Sequence, residues 1–482
     1  MIPNEMKWSA LAVALIGVFC TACRETVSLP PALGLQADLL GDAGPEFIGP
    51  YSVGHSLITV NHAGRAGENR PVDVHLWYPA DQGGYEAAAP SAYRSRLFGL
   101  TLIPGTYDPL SFEIPALIAH EGAGIDHNGP AFPLLIWSHG NTNDALDYAY
   151  ASEAMASHGF VVASLNHPRN AQDYVLTDFL NQLAGRTVLG CLDGLPRPCV
   201  TADADADIKD RLLDVSAVLD HLEQNSATYF DDRVDLTRIG MIGHSRGANT
   251  AVAAVAGSAA QGIPPNSRIR AIMTMAVPAA RLYAAADGAG VRVPALLMVG
   301  GSDETAPPAL SQDLFGMLSH TPRIFVTVKN GDHRSFDSAY CPRMQAAGAV
   351  RLSNPRAILE DRTVRSLLVT PTSGSTLDYC AYNYFVDPVD IRPLVKTITG
   401  IDVTPTNVPR ALSADEMAQL SVRLAVGFFH AALDDHGSDG LRFTRFLTPK
   451  YLMNHESNVQ SVETILAGAA SCPDGQGCTE AE

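Results

Sequence analysis

The spacing of apolar residues changes repeatedly along this 482-residue chain, and each change predicts an element. In "RPVDVHLWYPAD", Val72, Val74, Leu76 and Tyr78 alternate with Asp73, His75 and Trp77, the two-residue period of a strand. "FPLLIWSHG", residues 132–140, is an almost unbroken apolar run, as in a strand covered on both faces. A helix over about 144–158 and a strand "FVVASLNHP" follow. In "DIKDRLLDVSAVLDHLEQ", Ile208, Leu212, Val215, Leu219 and Leu222 fall on one stripe of a helix. Strand "RIGMIG", helix "ANTAVAAVAG", strands "IRAIMTMAV" and "ALLMVGG", helix "ALSQDLFGML" and strand "RIFVTVKN" come next. A late helix starts at Ser413, with Glu416 completing a capping box, and runs through "MAQLSVRLAVGFFHAAL". This alternation predicts an α/β protein with a mostly parallel sheet and helices on both faces.

Three stretches break the scheme, at about 83–130, 171–206 and 338–410, and are read as lid-like insertions. At roughly 150 residues per domain the length would allow about three domains. The continuous alternation favours one enlarged domain over 47–482, preceded by a linker over 24–46. Asp203, Asp205 and Asp207 could suggest a calcium loop, but Ile208 stands where such a loop needs glycine, and acids at a helix start are ordinary. No metal or cofactor is expected.

Charge narrows the partners. The chain carries 51 acidic and 33 basic side chains, and its net charge of −18 opposes binding to nucleic acid. The first 23 residues contain Lys7, an apolar run from about Ala10 to Phe19 and then small residues, the form of an export signal too short to span a bilayer. Cleavage after Ala22 and lipid attachment at Cys23 both fit, so the expected location is periplasmic, outer-membrane-anchored or secreted. Six further cysteines, Cys191, Cys199, Cys341, Cys380, Cys472 and Cys478, suit disulfides in an oxidising compartment better than zinc, with pairing of neighbours the simplest scheme.

The chemistry centres on "IGMIGHSRGAN". A strand, then Gly243-His244-Ser245-Arg246-Gly247, then an alanine-rich helix has the form of a nucleophile elbow, whose turn is too tight for side chains at the glycine positions. A serine needs a base and an acid. Asp303 follows "ALLMVGG" and His333 follows "RIFVTVKN", so serine, acid and histidine each lie just past a strand and in the chain order of α/β-hydrolases. Glu304, Asp332 and Asp337 are rival acids. The loop "WSHGNTN" and the elbow itself would supply the Asn141 and Arg246 main-chain N–H groups to a developing oxyanion. Singly, Asp303 and His333 read more readily as turn residues; jointly, in this order at strand ends, they read as a triad.

Several stretches carry a resemblance. "FIGPYSVGHSLITV", "PLLIWSHGNTN", "ASHGFVVASLNHP", "IGMIGHSRG" and "NGDHRSF" resemble bacterial platelet-activating-factor acetylhydrolase-like and dienelactone-hydrolase-like esterases, and "VGGSDETAPP" is similar to polyester-degrading cutinases. The likeness spans about 47–340 and returns at 413–434, before "FLTPKYL". It implies an α/β-hydrolase fold and cofactor-free serine hydrolysis of small or lipid-like carboxylic esters, with polyester or phospholipid acyl hydrolysis as an alternative. Three departures stand out. Dienelactone hydrolases use cysteine where this chain has Ser245, the acetylhydrolase acid follows an earlier strand whose counterpart "AIMTMAV" has none, and Ala248 stands where a second glycine is common. A catalytically inactive surface lipoprotein of the same fold is the reading from another class.

Overall fold

The computed structural model describes residues 45–96, 111–170, 204–257, 262–278, 290–318, 322–337, 412–433 and 444–465, apart from single positions at 46, 66, 142, 169, 304 and 413. The expected export signal, all eight cysteines, most of the insertion at 171–206, the insertion at 338–410, and Ser413 with its capping box lie outside the described residues. The elements are β1 (Ser52–Ala63), β2 (Asn69–Ala80), α1 (Gln82–Ala87), β3 (Pro90–Arg96), β4 (Ser111–Glu121), β5 (Phe132–Ser138), α2 (Ala149–Ser157), β6 (Val161–Asn166) and α3 (Ala204–Phe230). They continue with β7 (Val234–His244), α4 (Arg246–Ala256), β8 (Ile269–Met275), β9 (Ala295–Gly300), α5 (Pro308–Met317), β10 (Arg323–Val328), α6 (Ala414–Leu433), α7 (Pro449–His455) and β11 (Val459–Ile465).

One 11-stranded sheet runs in the order β11-β10-β9-β8-β7-β5-β6-β2-β1-β4-β3. From β6 through β5, β7, β8 and β9 to β10 every pairing is parallel, whereas β2 is antiparallel to both β1 and β6. With β3 and β4 set aside as additions beyond β1, the remaining order β1-β2-β6-β5-β7-β8-β9-β10, with its antiparallel β1–β2 hairpin and its crossing of β5 and β6, is the α/β-hydrolase topology. Apolar residues of α2 and α6 cover one face, with Leu135 and Trp137 of β5 pointing to them. Helices α3, α4 and α5 cover the other, opposite Leu134 and Ile136. The unbroken apolar run of β5 thus serves two cores.

The expected excursion at about 83–130 is corrected here, because β3 and β4 extend the sheet beyond β1, with Val53 opposite Ala119 in parallel register. Its sequence hides this because the strands form an edge. Pro90 opens β3, a place where a missing N–H is harmless, and three β4 N–H groups are satisfied by a side chain instead of a strand. Likewise β11 pairs antiparallel with β10 and is largely open to solvent, so it has no apolar run. The helix expected at 144–158 begins as a tight turn, Ala145–Tyr148, capped by the Asp144 carboxylate, before α2 proper.

Candidate active site

Strand β7 delivers Ser245 to the C-terminal edge of the sheet. There the backbone turns into α4 through φ 53° and ψ −118°, in the positive-φ region that a residue with a side chain rarely adopts. The conformation is held from both sides: the Ser245 N–H donates to Met275 O at 2.8 Å, and its carbonyl accepts from Ala248 N at 2.9 Å. A Cβ on Gly243 would collide with the Gly247 carbonyl, and one on Gly247 with the Ser138 carbonyl. Both flanking glycines are therefore required by close backbone approach.

Two neighbouring loops bring the other members together. The Ser302 N–H donates to Gly331 O at 2.9 Å, and Gly300 lies against the same carbonyl so closely that a Cβ has no room. Across this junction His333 Nδ1 is 2.8 Å from Asp303 Oδ2, and His333 Nε2 is 2.9 Å from Ser245 Oγ. The other Asp303 oxygen accepts from the Thr305 and Ala306 N–H groups at 2.8 and 2.6 Å, so the carboxylate is fixed at both ends. With Nδ1–H donating to the carboxylate, Nε2 is the lone-pair nitrogen and accepts the hydrogen bond of the Ser245 hydroxyl. Ser245 is 8%, His333 5% and Asp303 3% exposed, so all three are buried.

The rival acids do other things. Asp332 Oδ1 accepts from the Ser335 N–H and hydroxyl at 2.8 and 3.0 Å, so it faces its own turn. Asp337 is buried behind the elbow, where its Oδ2 accepts from Asn143 Nδ2 at 2.9 Å and lies 4.0 Å from His244 Nδ1. Glu304 lies outside the described residues. His244, the elbow residue before the serine, is fully buried, and its Nδ1 shares a 2.8 Å hydrogen bond with the Tyr148 hydroxyl. That hydroxyl also accepts from the Gly140 N–H at 3.2 Å, which ties the elbow to the loop after β5.

Asn141 lies in that loop, just past the end of β5, and Arg246 is the first residue of α4. Both main chains thus sit at the C-terminal edge of adjacent, parallel-paired strands, beside Ser245. The helix start adds its partial positive charge beside Ser245 Oγ. Tyr148, His139 and Arg211 were not singled out by periodicity. The available signal was charge inside an apolar stripe, since Arg211 and Asp214 fall between Ile208, Leu212 and Val215 and are fully buried. Among the described residues no group of three or more His, Cys, Asp or Glu side chains is arranged to hold a metal ion. A cavity of about 590 Å³ beside Arg238, Arg270 and Arg292 lies at the opposite, N-terminal ends of β8 and β9, away from this chemistry.

The family model described as platelet-activating factor acetylhydrolase, isoform II, matches residues 41–187. Over that stretch the chain resembles those proteins. The match takes in β1 to β6 and the Asn141 loop and ends before Ser245, Asp303 and His333. Among solved structures, a ferulic acid esterase from Streptomyces cinnamoneus is similar, with 18% identity over 86% of this chain and 96% of that one and a TM-score of 0.49. No curated protein matches the chain.

Proposed function

We propose that this protein is a serine-dependent carboxylic ester hydrolase. The observation that carries the reading is the continuous hydrogen-bonded line from Asp303 through His333 to a serine on a strained strand-to-helix turn. Ser245 Oγ attacks the ester carbonyl as His333 Nε2 takes its proton, and Asp303 stabilises the imidazolium that forms. The carbonyl oxygen becomes an oxyanion held by the Asn141 and Arg246 N–H groups. His333 then protonates the departing alcohol, leaving an acyl-Ser245 that water, activated by the same histidine, hydrolyses to the acid. An intact triad speaks against a binding lipoprotein that has lost catalysis. The family match at 41–187 favours short acyl chains on a lipid-like alcohol within this reaction class.

Residues 1–23 support export, with Cys23 as the place of lipid attachment or Ala22 as the last residue removed, and the six later cysteines suit the oxidising compartment that follows. A fluorophosphonate probe is expected to label the protein once, with Ser245→Ala abolishing both labelling and hydrolysis of a chromogenic acetate ester. Labelling that persists in Ser245→Ala would assign the nucleophile elsewhere.

A further inference from the structure

A buried cluster beneath the loop after β5 ties down both peptide planes that lead to Asn141. Arg211, fully buried on α3, donates from Nη1 to His139 O at 2.7 Å and from Nη2 to Gly140 O at 3.4 Å. The nitrogen end of the first plane, Gly140 N–H, is held by Tyr148. The oxygen end of the second, Gly140 O, also lies 2.6 Å from His139 Nδ1. His139 can hold only one protonation state here. Its Nε2 accepts from the His167 N–H at 3.1 Å and so carries no proton, which leaves Nδ1–H to donate to Gly140 O. Burial, with the Arg211 charge second, holds the His139 pKa well below the usual histidine range, in keeping with a neutral ring.

His167 is fixed in turn. Its Nδ1 donates to Asp214 Oδ2 at 3.0 Å and its Nε2 accepts from the Ser138 hydroxyl at 2.9 Å, while Arg70 Nη2 closes on the same carboxylate at 2.8 Å. In a trans peptide the N–H points opposite to the C=O. Gly140 O also accepts from the Asn143 N–H at 3.4 Å, and fixing it from these donors therefore fixes the direction of the Asn141 N–H. Gly247 of the elbow packs on the Ser138 and His139 carbonyls, so the two peptides that lead into Gly140 are registered to the nucleophile as well.

We infer that Arg211 and His139 are positioning residues that hold the 140–141 peptide with its N–H presented to the oxyanion before substrate arrives. The inference rests on the ester-hydrolase reading. A preset donor strengthens binding of the tetrahedral state and leaves ground-state ester binding little changed. His139→Asn and His139→Gln separate this role from a structural one, because the Asn amide reaches the place of Nδ1 and the Gln amide the place of Nε2. With a chromogenic acetate ester, His139→Gln is expected to lower kcat about 10²-fold with KM within about 3-fold of the parent. Affinity for a trifluoromethyl ketone, whose serine adduct carries the oxyanion, should fall in parallel. His139→Asn should recover at least about tenfold of both losses. Arg211→Lys, which keeps a cation but cannot span two carbonyls, should show the same joint loss and carries the test if the histidine variants do not fold. Equal impairment of the Asn and Gln variants, a fall in kcat without loss of ketone affinity, or parental kcat in Arg211→Lys would overturn the inference alone. A wild-type protein that takes no fluorophosphonate and cleaves no ester would overturn the proposed function, and this inference with it.

Discussion

At Ser245 a single backbone angle decides what the side chain can do. A serine at positive φ costs roughly 1–3 kcal/mol of strain, which the surrounding hydrogen bonds must offset, and the result is an Oγ that leaves the sheet edge toward His333. The histidine depends on its acid in the same geometric way. Asp303→Asn preserves shape, but its amide oxygen stays with the Thr305 and Ala306 N–H groups and its NH2 faces Nδ1, favouring the tautomer with its proton on Nε2, which cannot accept from serine. A fall in turnover of at least about 10², with an unchanged circular dichroism spectrum, is the expected outcome. Asp332→Asn should cost less than about tenfold, because that carboxylate is spent on its own turn with Ser335. Asp332→Asn proving the more damaging change would require the acid to be reassigned.

At the scale of elements, strands buried on both faces were legible because nothing else explains so long an apolar run, and β5, β6, β7, β8, β9 and β10 all stand where the pattern put them. The proposed triad was legible for a related reason: residues placed just past strand ends leave their trace in linear order. The strands at and next to the sheet's edge left no such trace. In β4 the polar work is done by a distant side chain, Glu153 of α2, whose two oxygens accept from the Leu117, Ile118 and Ala119 N–H groups and from the Tyr93 hydroxyl at 2.6–3.0 Å. No local period encodes a contact between residues more than thirty positions apart. Glu153→Gln removes one of those acceptor oxygens and turns an N–H toward donors. It should destabilise the protein by about 1–3 kcal/mol in urea unfolding while leaving kcat on an acetate ester near the parental value. Unchanged stability would mean that the side chain does not hold this edge.

The whole molecule shows what those extra strands do to its titration. His75 alternates with the apolar positions of β2 and reads as a residue of the polar face, yet it is only 7% exposed. On that face it stacks on Trp77 and meets the edge of Tyr93, which comes from β3, while His55 Nε2 lies 3.0 Å from its Nδ1. Burial, with the neighbouring His55 second, pushes the His75 pKa down to about 3. In the unfolded chain the ring titrates near 6.5. Between these values the unfolded state binds a proton that the native state refuses, so stability falls as pH drops from about 6.5 towards 3, by about 1.4 kcal/mol per unit from this group. Carboxylates and His167, whose pKa burial lowers to about 4, titrate across the same range, and only a difference isolates one of them. His75→Phe keeps an aromatic ring against Trp77 and removes the titration. Its Tm relative to wild type should rise steadily as pH is lowered from 6.5 to 4 and be constant above about 7. Parallel Tm curves for the two proteins across that range would show that His75 takes up its proton in the folded state, and so that the edge strands do not seal it from solvent.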